Sequence, residues 1–193
     1  NDDSPRLAPP VLTLIKTVVN DNGGTAIEGD FQAMIDGSPV LWNVPESPGP
    51  GDHTVSENSL PGYTASLWGG DCAADGTITL AMGEVKSCSI TNDDQTGTLI
   101  VRKIVINDDG GTAAPADFSF AVNTDPAVSF EVDGQNDLIV NAGTYSVTEP
   151  PFDGYATSYE NCTDLVIPNG GSATCVITND DIVSRIIVTK VVI

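Results

Sequence analysis

The chain has 193 residues, 40% of them hydrophobic, with 27 acidic side chains against 7 basic ones and a net charge of -20. That length admits one large domain or two small ones, and that apolar content supports a packed core rather than disorder. The charge excludes nucleic acid and anionic membrane surfaces as partners, and no apolar run approaches the roughly 18 residues of a membrane span.

In chain order, "NDDSPRLAPP" (1–10) does not read as a signal peptide, and its first seven residues read as a linker. "LTLIKTVV" (12–19) alternates with period two, placing Leu14, Lys16 and Val18 on one face. "NDNGG" (20–24) interrupts it. "GDFQAMID" (29–36), "HTVSE" (53–57), "TITLA" (77–81) and "KSCSITN" (86–92) alternate in the same way, with "DGSP" and "LPGY" between them. Val55 and Glu57 share a face, as do Cys88, Ile90 and Asn92. No segment holds a helical period. About seven short strands in some 87 residues predict an antiparallel sandwich of the immunoglobulin-like or prealbumin-like kind.

The pattern then starts again. "LIVRKIVINDDGGTAAPADF" (99–118) restates "LTLIKTVVNDNGGTAIEGDF" (12–31), and "CVITNDD" (175–181) restates "CSITNDD" (88–94). Lys16, Lys103 and Lys190 recur every 87 residues, and Asn92 and Asn179 are 87 apart. A fixed period of this size marks tandem copies of one domain, at 8–94 and 95–181, differing in loop length between Gly37 and Cys72. "SRIIVTKVVI" (184–193) has the pattern of a first strand. Residues 182–193 are therefore expected to open a following repeat or to be a donor strand for a neighbouring molecule. The fold expected is all-β: two tandem sandwiches plus an extra C-terminal strand.

Four cysteines allow three pairings. The repeat favours pairing within each copy, Cys72 with Cys88 and Cys162 with Cys175. The spacing matches no zinc motif, and His53 is the one histidine. Disulfides imply an extracellular, oxidising setting.

Each copy aims a lysine, a glutamate and an asparagine inward: Lys16, Glu57 and Asn92, then Lys103, Glu149 and Asn179. Unpaired buried charge is costly, so the three should meet. A desolvated, neutral lysine amine can attack the asparagine carboxamide, and a glutamate kept protonated by the same burial can polarise the carbonyl and shuttle protons as ammonia leaves. The product is an isopeptide cross-link between first and last strands. Two other readings stay open at this point: a non-covalent Lys–Glu–Asn cluster, and a lysine that snorkels out at a sheet edge.

"YSVTEPPFDGY" (145–155) and "HTVSENSLPGY" (53–63) carry the glutamates, and His53 stands where the second copy has Tyr145. With the lysine and asparagine positions, these motifs resemble the SpaA-type, prealbumin-like (Cna protein B-type) domains of bacterial and archaeal surface proteins and pilins. The resemblance covers nearly the whole chain. It implies a prealbumin-like fold, a structural rather than enzymatic role, and cross-linking by the residues named above, with Lys190 able to serve a neighbour.

Other features carry weaker expectations. The acidic turns at 20–24, 92–94, 107–111 and 179–181 suit either calcium or plain hairpins. "NCT" (161–163) is a glycosylation acceptor pattern at Asn161. Trp42 and Trp68 suit sugar stacking or packing. No nucleophile–base pair, phosphate loop or metal triad is visible. The chain reads as an extracellular structural repeat protein that forms a stalk, pilus-like fibre or filament with copies of itself, head to tail. The alternative is a surface adhesin or a module that binds glycan or protein. Direct membrane insertion and a required cofactor are not expected.

Overall fold

The structure, a computed structural model, describes residues 7–183 and 188–190. It divides into two compact units, Asn1–Thr96 and Gly97–Ile193. The first contains β1 (Val11–Val19), β2 (Ala33–Ile35), β3 (Ser38–Val40), β4 (Pro45–Glu46), β5 (Gly51–Glu57), β6 (Tyr63–Ala65), β7 (Gly69–Gly70), β8 (Thr77–Leu80) and β9 (Val85–Asp94). One sheet runs β4-β1-β9-β6, with β7 also on β9, and the other runs β3-β2-β5-β8. Alternation in β1 and β9 buries Leu12, Leu14, Lys16 and then Cys88, Ile90, Asn92. These meet Ala33, Ile35, Val55, Ile78 and Leu80 from the facing sheet.

The second unit contains β10 (Gly97–Ile106), β11 (Ser119–Val122), β12 (Val128–Ser129), β13 (Gln135–Val140), β14 (Gly143–Tyr145), β15 (Val147–Thr148), β16 (Tyr155–Glu160), β17 (Leu165–Ile167) and β18 (Ser172–Asp181). The main sheet runs β13-β10-β18-β16. Its opposite layer is broken into β12-β11-β15 and β14-β17, because the counterpart of β5 is interrupted at Ser146. The core is richer in aromatics than that of the first unit, with Phe118, Phe120 and Phe130 beside Leu99, Val101 and Ile177.

Nine strands per unit among the described residues exceed the seven expected; the excess is two-residue pieces such as β4, β7, β12 and β15. One pairing departs from the antiparallel expectation. First and last strands run parallel, Leu14 opposite Cys88 and Lys16 opposite Ile90, with Val101 opposite Cys175 and Lys103 opposite Ile177 in the second unit. The two strands belong to one sheet but are joined through the other layer, so their relative direction is set by that path and not by a hairpin. Of the expected C-terminal strand, residues 184–187 and 191–193 lie outside the described residues. Val188–Lys190 are exposed and are not in a strand. No described helix is long and apolar enough to cross a membrane.

Candidate functional site: a buried lysine–glutamate–asparagine cluster

Lys16 comes from the middle of β1, Asn92 from near the end of β9, and Glu57 from the end of β5 in the opposite layer. Register explains the meeting. Asn92 lies opposite Val18, two residues beyond Lys16, so lysine and asparagine point to the same face on a short diagonal. Lys16 Nζ donates hydrogen bonds to Glu57 Oε2 and to Asn92 Oδ1. In the second unit Lys103 Nζ donates to Glu149 Oε2 and Asn179 Oδ1. Asn179 Nδ2 in turn donates to Glu149 Oε1 at 2.7 Å. Both lysine side chains have no exposed surface.

Aromatic rings line the lysine's other side. Lys16 Nζ stands 4.1 Å from the centre of the Phe31 ring and 5.1 Å from that of Trp42. Lys103 Nζ stands 3.9 Å from Phe118 and 5.2 Å from Phe130. Such faces favour a cation but exclude water, and a dry site disfavours charge. Burial wins: it pushes both lysine amines below their ordinary value, and the hydrogen bond and charge of Glu57 or Glu149 do not restore it. Of these rings only Trp42 stands out in the sequence, as a residue for sugar stacking or packing; Phe31, Phe118 and Phe130 do not. Phe31 and Phe118 are 87 apart, inside the matched segments, and that spacing was their available signal. Trp42, paired in role with Phe130, also stacks on Trp68 at 6.3 Å, so both tryptophans are packing residues.

The Gly-Tyr of each motif serves the same site. Tyr63 packs edge-on against Phe31, and its hydroxyl accepts from Ala26 N and donates to Asn20 Oδ1. Tyr155 repeats this with Phe118, Ala113 and Asn107. The "NDNGG" loop is not a two-residue hairpin. It wraps onto the Asp94 carboxylate, which accepts from the amides of Asp21, Asn22 and Gly24. Asp181 receives the amides of Asp108, Asp109 and Gly111. A Cβ on Gly24 would lie 2.7 Å from the Asp94 side chain, which is why the second glycine of the pair is needed. Burial pushes the Asp94 and Asp181 carboxyls up, but these amides outweigh it and hold both below the usual range. Carboxylates of Asp21, Asp93 and Asp94, and of Asp108, Asp109 and Asp181, approach within 4.8 Å of one another.

Cys72 is bridged to Cys88, and Cys162 to Cys175, within their own units. Asn161 is exposed just past β16, one residue before a bridged cysteine. Lys190 is exposed.

The chain matches the model of the SpaA_2 family, a prealbumin-like fold domain, over residues 8–90 and again over 94–182. No curated protein sequence matches it. Among solved structures it is similar to the TIE protein of Bacillus anthracis, with 18% identity and a TM-score of 0.52 over 92% of this chain. The match spans 34%, about a third, of that protein. It is more distantly similar to GBS52, the minor pilin of Streptococcus agalactiae, at 12% identity and TM-score 0.38, covering 95% of this chain and 100% of that one. A single B repeat of the collagen-binding surface protein of Staphylococcus aureus gives 14% identity and TM-score 0.35, covering 89% and 96%. At such identities the likeness is one of fold.

Proposed function

The chain belongs to the SpaA_2 family of prealbumin-like fold domains, and from that premise we propose that it is a load-bearing stalk of a surface pilus-type or adhesin-associated assembly whose units are each locked by an isopeptide bond. The observation that carries this reading is the convergence, in both units, of a buried lysine from the first strand with an asparagine from the last. The reaction needs a neutral amine, and the dry aromatic pocket favours one. Lysine Nζ attacks asparagine Cγ. The glutamate takes a proton from Nζ and passes it to Nδ2, the Cγ–Nδ2 bond breaks, and ammonia leaves. What remains is an amide joining β1 to β9, or β10 to β18. Each site turns over once.

The parallel pairing gives the bond a mechanical meaning. The entry of β1 and the exit of β9 lie at opposite ends of the pair, so a pull on the two ends shears the strands along their length. Force entering β1 would leave it at Lys16 and exit through Asn92, bypassing the 76-residue span between them. The two disulfides suit an oxidising extracellular setting. Head-to-tail growth is part of the same proposal: "IIVTKVVI" repeats the first-strand pattern and is suited to pair with a further unit, in a longer chain or in a neighbouring molecule.

Intact mass after reduction is the first test. The expected result is a deficit of two ammonia molecules, abolished one at a time by Lys16→Met and Lys103→Met. A full mass with all side chains intact would rule out the covalent lock. Deleting 184–193 tests the coupler separately, since fibres that persist without it would have another origin.

A further inference from the structure

The two lysine sites are built from the same three residues, yet their surroundings differ. β16 pairs with β18 so that Thr157 lies opposite Asn179. β6 pairs with β9 so that Ala65 lies opposite Asn92. In the second unit Asn179 Nδ2 donates one hydrogen bond to Thr157 Oγ1 at 3.2 Å and the other to Glu149 Oε1 at 2.7 Å. Both N–H bonds of the amide are used, and the carboxamide is fixed with Oδ1 toward Lys103. In the first unit alanine offers no acceptor. Asn92 Nδ2 makes neither bond, and Glu57 Oε1 is buried with no hydrogen-bond partner. Two residues further on the contrast continues: the hydroxyl of the exposed Tyr159 accepts from Glu149 N at 3.1 Å, whereas the first unit has Leu67, also exposed and without a hydroxyl, two residues after Ala65.

We infer that Thr157 is a positioning residue for the cross-linking reaction, and that the second unit therefore closes its bond faster than the first. The inference rests on the covalent reading given above. Nδ2 is the leaving group. It must be aligned with the glutamate that protonates it, and it departs as ammonia while the Nζ–Cγ bond forms. Thr157 holds that nitrogen beside Glu149 before the attack begins, so no rotation of the amide has to accompany proton transfer. In the first unit the Asn92 amide must find Glu57 Oε1 during the reaction. A single neutral hydrogen bond of this kind corresponds to about a tenfold change in rate.

The test is a time course on the full chain, synthesised in a short oxidising pulse and quenched in acid denaturant at intervals. After reduction and digestion, mass spectrometry follows the Lys16–Asn92 and Lys103–Asn179 cross-linked peptides separately. The second should appear about ten times sooner. Thr157→Val should slow it to the rate of the first. Thr157→Ser should restore it, which a purely structural role for the methyl would not predict. Ala65→Thr should speed the first unit, and this decides the matter even if Thr157→Val fails to fold. Equal rates in both units, with no response to Ala65→Thr, would overturn the assignment while leaving the covalent lock standing. Absence of both cross-linked peptides at all times would instead remove the lock itself.

Discussion

A lysine with no exposed surface is the residue on which each unit turns. Its amine is held by one carboxylate, one amide oxygen and two ring faces, so every substitution there has a defined consequence. Lys103→Met keeps the apolar stem but removes the nitrogen from which Glu149 Oε2 accepts a hydrogen bond, leaving that oxygen unpaired in a dry site at a cost of about 1–3 kcal/mol. Chemical denaturation of K103M against K103M/E149L checks this, with the double variant recovering much of the loss. In the proposed reaction the neutral amine is the nucleophile, and burial lowers its pKa, so the cross-linking rate should rise with pH and level off below the 10.5 of a free lysine. A rate independent of pH would point to a different limiting step. His53 offers a second pH signal, confined to the first unit. Its hydrogen bond to Asp36 raises its pKa above the ordinary 6.5. Its stabilisation is therefore complete below about pH 6.5 and is lost as pH rises through the folded-state value. Both tryptophans lie in the first unit, so tryptophan fluorescence should report a melting temperature that falls over that range, and His53→Gln should flatten it.

Among the elements, the last strand carries most of the structure's obligations. β9 holds the asparagine, a bridged cysteine and the aspartate that gathers the loop after β1. Asp94→Ala should strip hydrogen-exchange protection from the amides of Asn22 and Gly24 while leaving β5 and β8 protected. The depressed Asp94 pKa makes its contribution available above about pH 4 and lost as pH falls through the folded-state value, so the wild type should show the same local exposure in acid. The disulfides fasten the last strand of each unit on the same inward face. Cys72–Cys88 closes a separation of 16 residues, worth about 3 kcal/mol in the chain-entropy model, and reduction should lower the melting point of a Lys16→Met variant accordingly.

At the scale of the whole molecule, the proposed stalk role would make the two tandem units a force path, each loaded in shear. Single-molecule extension of the reduced wild type should show stiff units with no release of the 76-residue span. Lys16→Met/Lys103→Met should release it, adding about 260 Å per unit at about 3.4 Å per residue. A wild type that unfolds to the length of the double variant would show that the strands are not bonded. The net charge of -20 keeps such chains apart unless a specific contact joins them.

Period-two alternation and the 87-residue repeat were enough to give the all-β class, two tandem units, the inward faces of β1 and β9, and the lysine, glutamate and asparagine that meet there. They sufficed because a strand's side chains take one of two sides, so a polar residue in an apolar row declares its direction without any knowledge of its partner. The same repeat made pairing of cysteines within units the economical choice. What lies across the sheet from a residue is set by register and layer, and neither is written in alternation. Only the tertiary structure decided that first and last strands are parallel, that Phe31 and Trp42 roof one lysine while Phe118 and Phe130 roof the other, and that the acidic loop closes on Asp94. It alone set Thr157 against Asn179 and Ala65 against Asn92: these pairs are separated by tens of residues, and the pairing of the strands, not the order of the chain, brings Thr157 within reach of one hydrogen bond.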